Sequence, residues 1–539
     1  MQPFNCIKHY FLPPASLGSI LEPRAVVASV LLTLSAWSAP AQAQQTVTIN
    51  EYIVRGNTVL DQRLIEQAVY PHLGEGRTLD NIEQARDALQ QAYQEAGYQS
   101  VYVDLPEQQV EHGIVILQVT EAKVGRLRVE GAQYNSPLAI RDAVPALAEG
   151  QVPDFEQAQS QLADLNRGSR QVMPLVREGA LPGTLDVDLR VEDKMPWNGS
   201  VAFNNDYSAD TTKTRAIVSL GHDNLWQLGH SASLTYFTAP ERKGDASVIS
   251  GSYTLPTSKH WDLQLSGYNS NSDIATIGGT NVLGKGHSYG ARFTYSPDFQ
   301  APWFHSFSAG LDYKRFREEL RFGGDSDQVP LTYIPLNLGY NGYRYSEGSQ
   351  SSVAVDIVAS PRSMFGIGSD DEEFDYKRYR ADPSFALLKL NLSHTQSLPR
   401  DWQMYARLGG QLASGPLVSN EQFSAGGTGT VRGYLAAERS GDEGYNSSIE
   451  LRTPSLSKWL GSNVNEWRFY AFADAARVRL LDPLPEQEHD FSLASIGLGT
   501  RMQVLNWLSA NFDWAYPLKD GAYTERHKPR LHFSVRASF

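Results

Sequence analysis

The sequence predicts an α+β N-terminal region followed by an antiparallel transmembrane β-barrel of about 16 strands. Three observations lead there. A helical period occurs twice between Val47 and Asp193, each time flanked by short apolar runs, and then stops. From Trp197 to the end, segments of about 10 residues alternate apolar and polar side chains between turn residues. The connections also alternate in length. Pro256–Lys259, Asp298–Pro302, Ser346–Gly348 and Leu398–Asp401 are short, whereas Arg317–Pro330 and Arg362–Pro383 are long and polar. Backbone groups in hydrocarbon find no water, so such strands have to close on themselves. Short turns then face the periplasm and long loops the outside.

Residues 1–43 have the layout of a secretory signal peptide. Lys8 and Arg24 precede the apolar run Ala25–Trp37, and Ala41-Gln-Ala43 offers small residues for cleavage. A membrane anchor is the alternative, but the run is shorter than the roughly 20 residues a span needs. No other apolar run approaches that length, and mean hydropathy is −0.37, so a helical membrane protein is excluded. The single cysteine, Cys6, precedes the cleavage site, which suits an envelope compartment. A net charge of −13 argues against nucleic acid as a partner.

Residues 47–120 and 121–193 form two α/β repeats. The first opens with Val47–Val54, followed by Arg55-Gly-Asn57. A short helix runs over Asp61–Val69 with Asp61 as N-cap, and a longer one over Leu79–Ala96, stopped by Gly97. Strands Val101–Leu105 and Ile114–Val119 follow. The second copy opens at Val124–Gly131, has helices at Pro137–Leu147 and Phe155–Asn166, and closes with strand Gly183–Val191.

In the barrel region, 196–539, Asn506–Tyr516 places Leu508, Ala510, Phe512, Trp514 and Tyr516 on one face and Ser509, Asn511 and Asp513 on the other. The last segment, Leu531–Phe539, alternates in the same way. An aromatic content of 11%, with 26 Tyr and 10 Trp, suits interfacial girdles.

Two stretches stand apart. Ser424-Ala-Gly-Gly-Thr-Gly-Thr-Val-Arg-Gly-Tyr434 is too glycine-rich for a strand and lies between two alternating runs. Asn465–Ala476 alternates so that Trp467, Phe469, Ala471 and Ala473 take the lipid face, while Arg468, Tyr470, Phe472 and Asp474 face the lumen. A carboxylate within the bilayer has to face inward and be paired. On the residues alone, Asp474 has Arg432, Arg468 and Arg452 as candidate partners.

Val431-Arg432-Gly433-Tyr434 resembles the VRGY/F signature of the Omp85/TpsB superfamily, and Phe472-Ala-Asp474-Ala-Ala476 resembles its F-x-D-x-G motif. The family's glycine is Ala476 here, which puts close backbone approach at that position in question. Val54-Arg-Gly-Asn57 and Tyr93-Gln-Glu-Ala-Gly-Tyr98 resemble POTRA domains, periplasmic modules of the same superfamily. Taken whole, the chain resembles the TpsB transporters of two-partner secretion, of the ShlB/FhaC/HecB haemolysin secretion/activation type.

That resemblance implies an outer-membrane pore with two POTRA domains in the periplasm. A loop of about residues 414–443, between strands 11 and 12, would fold into the lumen and be held by Arg432 and Asp474. The partner would be an unfolded secreted TpsA-type protein, an adhesin or haemolysin, received by POTRA sheet edges. An outer-membrane assembly factor of the Omp85 type is the alternative. Many family members carry a plug helix before the first POTRA domain, and Gln44–Thr46 leaves no room for one, so the loop alone would seal the pore.

Other signals are weak. Gly286-His-Ser-Tyr-Gly290 matches a nucleophile elbow but precedes a strand rather than a helix. Gly426–Gly433 lacks the Lys-Ser/Thr of a phosphate loop. Asp370–Asp375 reads as a solvated acidic loop, and the twelve histidines have no metal-ligand spacing. No cofactor, metal or catalytic residue is expected.

Overall fold

A computed structural model describes residues 46–166, 170–277, 280–297, 302–322 and 325–539. The predicted signal peptide and the turn residues 298–301 lie outside them.

In the first α/β unit, Glu51–Arg55 runs parallel to Ile114–Glu121, which pairs antiparallel with Val101–Asp104. Helices α1 (Gln62–Val69) and α2 (Leu79–Glu95) pack on this sheet through Ile65, Val69, Leu89 and Tyr93. Asp61 caps α1 by accepting the Arg63 N–H at 2.8 Å. The buried Tyr93 hydroxyl donates to Asn57 Oδ1 at 2.5 Å, which joins the two stretches that resemble POTRA domains. The single opening strand expected at Val47–Val54 is broken. Val47–Ile49 pairs with Gly74–Arg77 instead, because the Asn50 and Glu51 N–H groups turn aside to Gly113 O.

The second unit repeats the order, with Lys123–Glu130 parallel to Thr184–Asp193 and the latter antiparallel to Arg170–Glu178. Its first helix is shorter than expected. Pro145 disfavours helical backbone at Val144, so α3 (Pro137–Asp142) ends and a separate 3-10 turn covers Pro145–Leu147. Helix α4 spans Phe155–Leu165.

Among the described residues, sixteen strands close a barrel. These are β1 (Trp197–Asn204), β2 (Arg215–Leu225), β3 (His230–Thr238), β4 (Ser247–Pro256), β5 (Trp261–Ile277), β6 (Thr280–Tyr295), β7 (Trp303–Phe322), β8 (Asp325–Tyr333 and Leu336–Ser346), β9 (Ser349–Ser360), β10 (Phe385–Ser397), β11 (Gln403–Ala413), β12 (Glu443–Arg452), β13 (Val464–Arg479), β14 (Asp490–Val504), β15 (Leu508–Pro517) and β16 (Arg530–Ser538). Both halves of β8 pair with β7, and Pro335, which has no N–H to donate, marks the break. β16 closes on β1 from Ser534↔Asn204 to Ser538↔Ser200. The Asn205 side chain extends this seam, with Oδ1 accepting the Phe533 N–H and Nδ2 donating to Leu531 O, both at 2.8 Å.

Along β13 every second side chain from Arg468 to Val478 is buried, and those between are exposed to the lipid side. Trp197, Trp261, Trp303, Trp402 and Trp507 lie at the same end of the barrel, beside the short turns, where a headgroup girdle belongs.

Two expected loops are structured. Most of Arg317–Pro330 continues β7 and β8 as a hairpin, because the ladder runs on to Phe322↔Asp325. The acidic run after Asp370 is a helix, α5 (Asp371–Lys377). Asp370 accepts the Glu373 N–H at 2.9 Å, and Glu373 accepts the Asp370 N–H at 3.1 Å. Its Phe374 packs against Phe316, Tyr333 and Phe385.

Candidate functional site: the loop in the lumen

The connection between β11 and β12, residues 414–442, folds into the barrel. A short hairpin forms its stem, pairing Phe423↔Gly441, Ser424↔Ser440 and Ala425↔Arg439. Asp442, fully buried, ties the root together. It accepts the N–H groups of Leu417 at 2.9 Å and Leu481 at 2.7 Å, and Gln422 Nε2 at 3.0 Å.

Beyond the stem, the sequence-predicted residues converge. Arg432 Nε donates to Asp474 Oδ2 and Nη2 to Asp474 Oδ1, both at 2.8 Å, and the Arg432 backbone N–H adds a third bond to Oδ2 at 3.0 Å. A planar guanidinium meets a carboxylate edge-on in this way, and an ammonium cannot. The guanidinium carbon stands 3.6 Å from the Phe472 ring centroid, so Phe472 forms the floor beneath the cation. Val431 is buried with Ala425, Tyr434, Val478 and Leu493. The Ala476 methyl belongs to this same apolar cluster, so a side chain is accommodated where the family motif has glycine. The Tyr434 hydroxyl lies 2.9 and 2.8 Å from the carbonyl oxygens of Ala494 and Lys519.

Gly433 has a positive φ of +94°, and a Cβ there would come within 3.3 Å of Ala515 Cβ. Its N–H donates to His532 Nε2 at 2.8 Å, so that nitrogen is the unprotonated one.

Arg468 and Arg452, the other candidate partners of Asp474, are engaged elsewhere. Arg468 pairs with Asp401 and Glu466, and Arg452 pairs with Glu450. Sequence reasoning missed part of the acidic wall. Arg432 Nη1 also meets Glu450 Oε1 at 2.8 Å and Asp513 Oδ1 at 3.4 Å, and Nη2 donates to Ser448 Oγ at 3.0 Å. Glu450 carried the same signal as Asp474, a carboxylate on the inward face of an alternating strand. Two further anchors carried no signal. Asp206, just after β1, accepts the Thr428 N–H at 3.1 Å and its hydroxyl at 2.9 Å. Glu438 accepts the Tyr523 and Thr524 N–H groups at 2.6 and 2.7 Å.

Residues 183–502 match the family described as haemolysin secretion/activation protein ShlB/FhaC/HecB, and residues 47–122 match the ShlB-type POTRA domain. The chain belongs to the ShlB/FhaC/HecB family. Its similarity to the outer membrane transporter CdiB of Dickeya dadantii strain 3937 is 23% identity over 525 residues, 91% of this chain and 86% of that protein. The fold is shared with CdiB from Escherichia coli, at a TM-score of 0.63 and 18% identity over 94% of this chain and 93% of that one. BamA from Haemophilus ducreyi lacking POTRA domains 1–3 shares it at a TM-score of 0.55 and 17% identity, over 92% and 100% of the two chains. Members of the ShlB/FhaC/HecB family are transporters. This ShlB-type chain is accordingly an outer-membrane pore that exports a partner protein, with its POTRA region in the periplasm.

Proposed function

We propose that the pore serves one large, unfolded TpsA-type partner of adhesin or haemolysin character, and that residues 121–193 act as a second POTRA domain beside the first. The observation that carries the gating part of this reading is the buried Arg432–Asp474 pair, which holds the loop tip inside the lumen. A partner strand adds to an open POTRA sheet edge, then enters the barrel as the loop shifts. The loop is a two-state element. Val431, Arg432, Gly433 and Tyr434, with Phe472 and Asp474, bias it towards the inserted state. Outer-membrane lipid is the remaining partner, met by exposed side chains such as Leu234, Ile249 and Ile449.

The test compares proteins released into the medium by cells carrying the intact chain, a deletion, or Arg432→Ala. One large protein should vanish in the deletion and fall sharply with Arg432→Ala. A joint decline of many outer-membrane proteins, with nothing specific lost from the medium, would make the chain an assembly factor.

A further inference from the structure

The loop touches opposite walls of the lumen with opposite charge. At its tip a cation, Arg432, sits among the carboxylates of β12, β13 and β15. At its root an anion, Glu421, meets the β7–β8 wall and is 3% exposed. Lys314 Nζ of β7 lies 2.5 Å from Glu421 Oε1, and the Tyr333 hydroxyl of β8 donates to the same oxygen at 2.7 Å. Gln411 Nε2 of β11 donates to the Glu421 backbone oxygen at 2.9 Å. Lys389 of β10 lines the same cavity of about 680 Å³, beside the carboxylates Asp312 and Asp356, while Lys314 is the cation in contact with Glu421. Leu417 and Val418, four and three residues before Glu421, pack into the apolar cluster of Phe316, Tyr333 and Phe374. The Glu421 side chain is 2% exposed and that of Lys314 17%. A buried carboxylate is costly unless paired, and an apolar residue would have served simple packing better.

We propose that Glu421 is a second positioning residue of the loop. With Lys314 and Tyr333 it fixes the loop root to the β7–β8 wall, so that the loop spans the lumen as a crossbar held at both ends. The tip pair alone does not close the pore. This rests on the reading of the loop as the gate.

The full chain with Glu421→Gln, with Lys314→Met, or with the exchange Glu421→Lys/Lys314→Glu is reconstituted in planar bilayers, beside Arg432→Ala. Heat-modifiable electrophoretic mobility checks that each barrel is folded. Each single substitution at the root should raise the open fraction roughly tenfold or more, the equivalent of one charged hydrogen bond. The exchanged pair should return it towards the native level, which a merely structural role for Glu421 would not produce. The proposal is overturned if Glu421→Gln stays closed while Arg432→Ala opens, or if the exchanged pair leaks as much as the single variants. If Arg432→Ala also stays closed, the gate reading falls and takes this proposal with it.

Discussion

At the residue scale, Arg432 is fixed by the number and planarity of its contacts. Asp474 takes three hydrogen bonds from it, Glu450 and Ser448 one each, and the Phe472 ring lies beneath it. Removing one partner of such a buried pair costs about 3–5 kcal/mol, since the other charge is left behind. Arg432→Lys keeps the charge and loses the fork. We expect export by this variant to fall between that of the native chain and Arg432→Ala, with about 1.5–3 kcal/mol of tip stabilisation lost per missing charged bond. Rates of partner release into the medium measure this, and equal rates for Arg and Lys would refute the bidentate argument. Gly433 next to it is required for two reasons at once, its positive φ and the nearness of Ala515.

At the scale of elements, the joint between the second α/β unit and the barrel turns on Asp193. Its carboxylate accepts the N–H groups of Gln133, Tyr134 and Asn135, and Asn135 Oδ1 in turn accepts Asn224 Nδ2 from the end of β2 at 2.8 Å. Burial pushes the Asp193 carboxyl up, but these donors outweigh it and hold it below the ordinary carboxylate range. A depressed value means that the folded state favours the ionised form. This contribution is complete above the ordinary carboxylate value, near 3.9, and is lost as pH falls through the depressed one. Amide hydrogens of residues 133–135 should therefore stay protected at about pH 5 and lose protection only below about pH 4. Asp193→Asn should lose that pH dependence. Hydrogen exchange followed by mass spectrometry separates the two.

The elements themselves were legible where a period was strong. The N-cap of α1, the stop at Gly97 and the alternation of β13 all stand where the residues put them. Hairpin continuation at Arg317–Pro330 and the helix α5 were not legible. Polar residues outside the membrane carry no burial period, and capping by Asp370 and Glu373 competes with the loop composition around it.

At the scale of the whole molecule, the loop tip is bound to both strands of the barrel seam. Thr428 holds Asp206 beyond β1, and Gly433 holds His532 on β16. Loop movement and the closed seam are therefore linked. The Thr428 hydroxyl lies 2.9 Å from Asp206 Oδ2, and the chain has a single native cysteine, Cys6, so Asp206→Cys/Thr428→Cys is a specific lock. Under oxidising conditions this variant should stop releasing its partner, and a reductant should restore release. Undiminished export with the disulfide formed would mean that the partner passes beside a stationary tip.

The sequence by itself determined a barrel of about 16 strands and the place of the loop between the eleventh and twelfth, because alternation and turn residues are local properties of the chain. It also marked Arg432, Asp474 and Phe472, since short motifs and inward-facing charges are local as well. Only the tertiary structure decided which charges meet. Glu450, Asp513 and Asp206 reach the loop from distant strands and connections, the loop's own Glu438 reaches Tyr523 and Thr524, and Lys314 meets Glu421 across 107 positions. Barrel closure sets which inward faces oppose one another, and no period along a single strand encodes that distance.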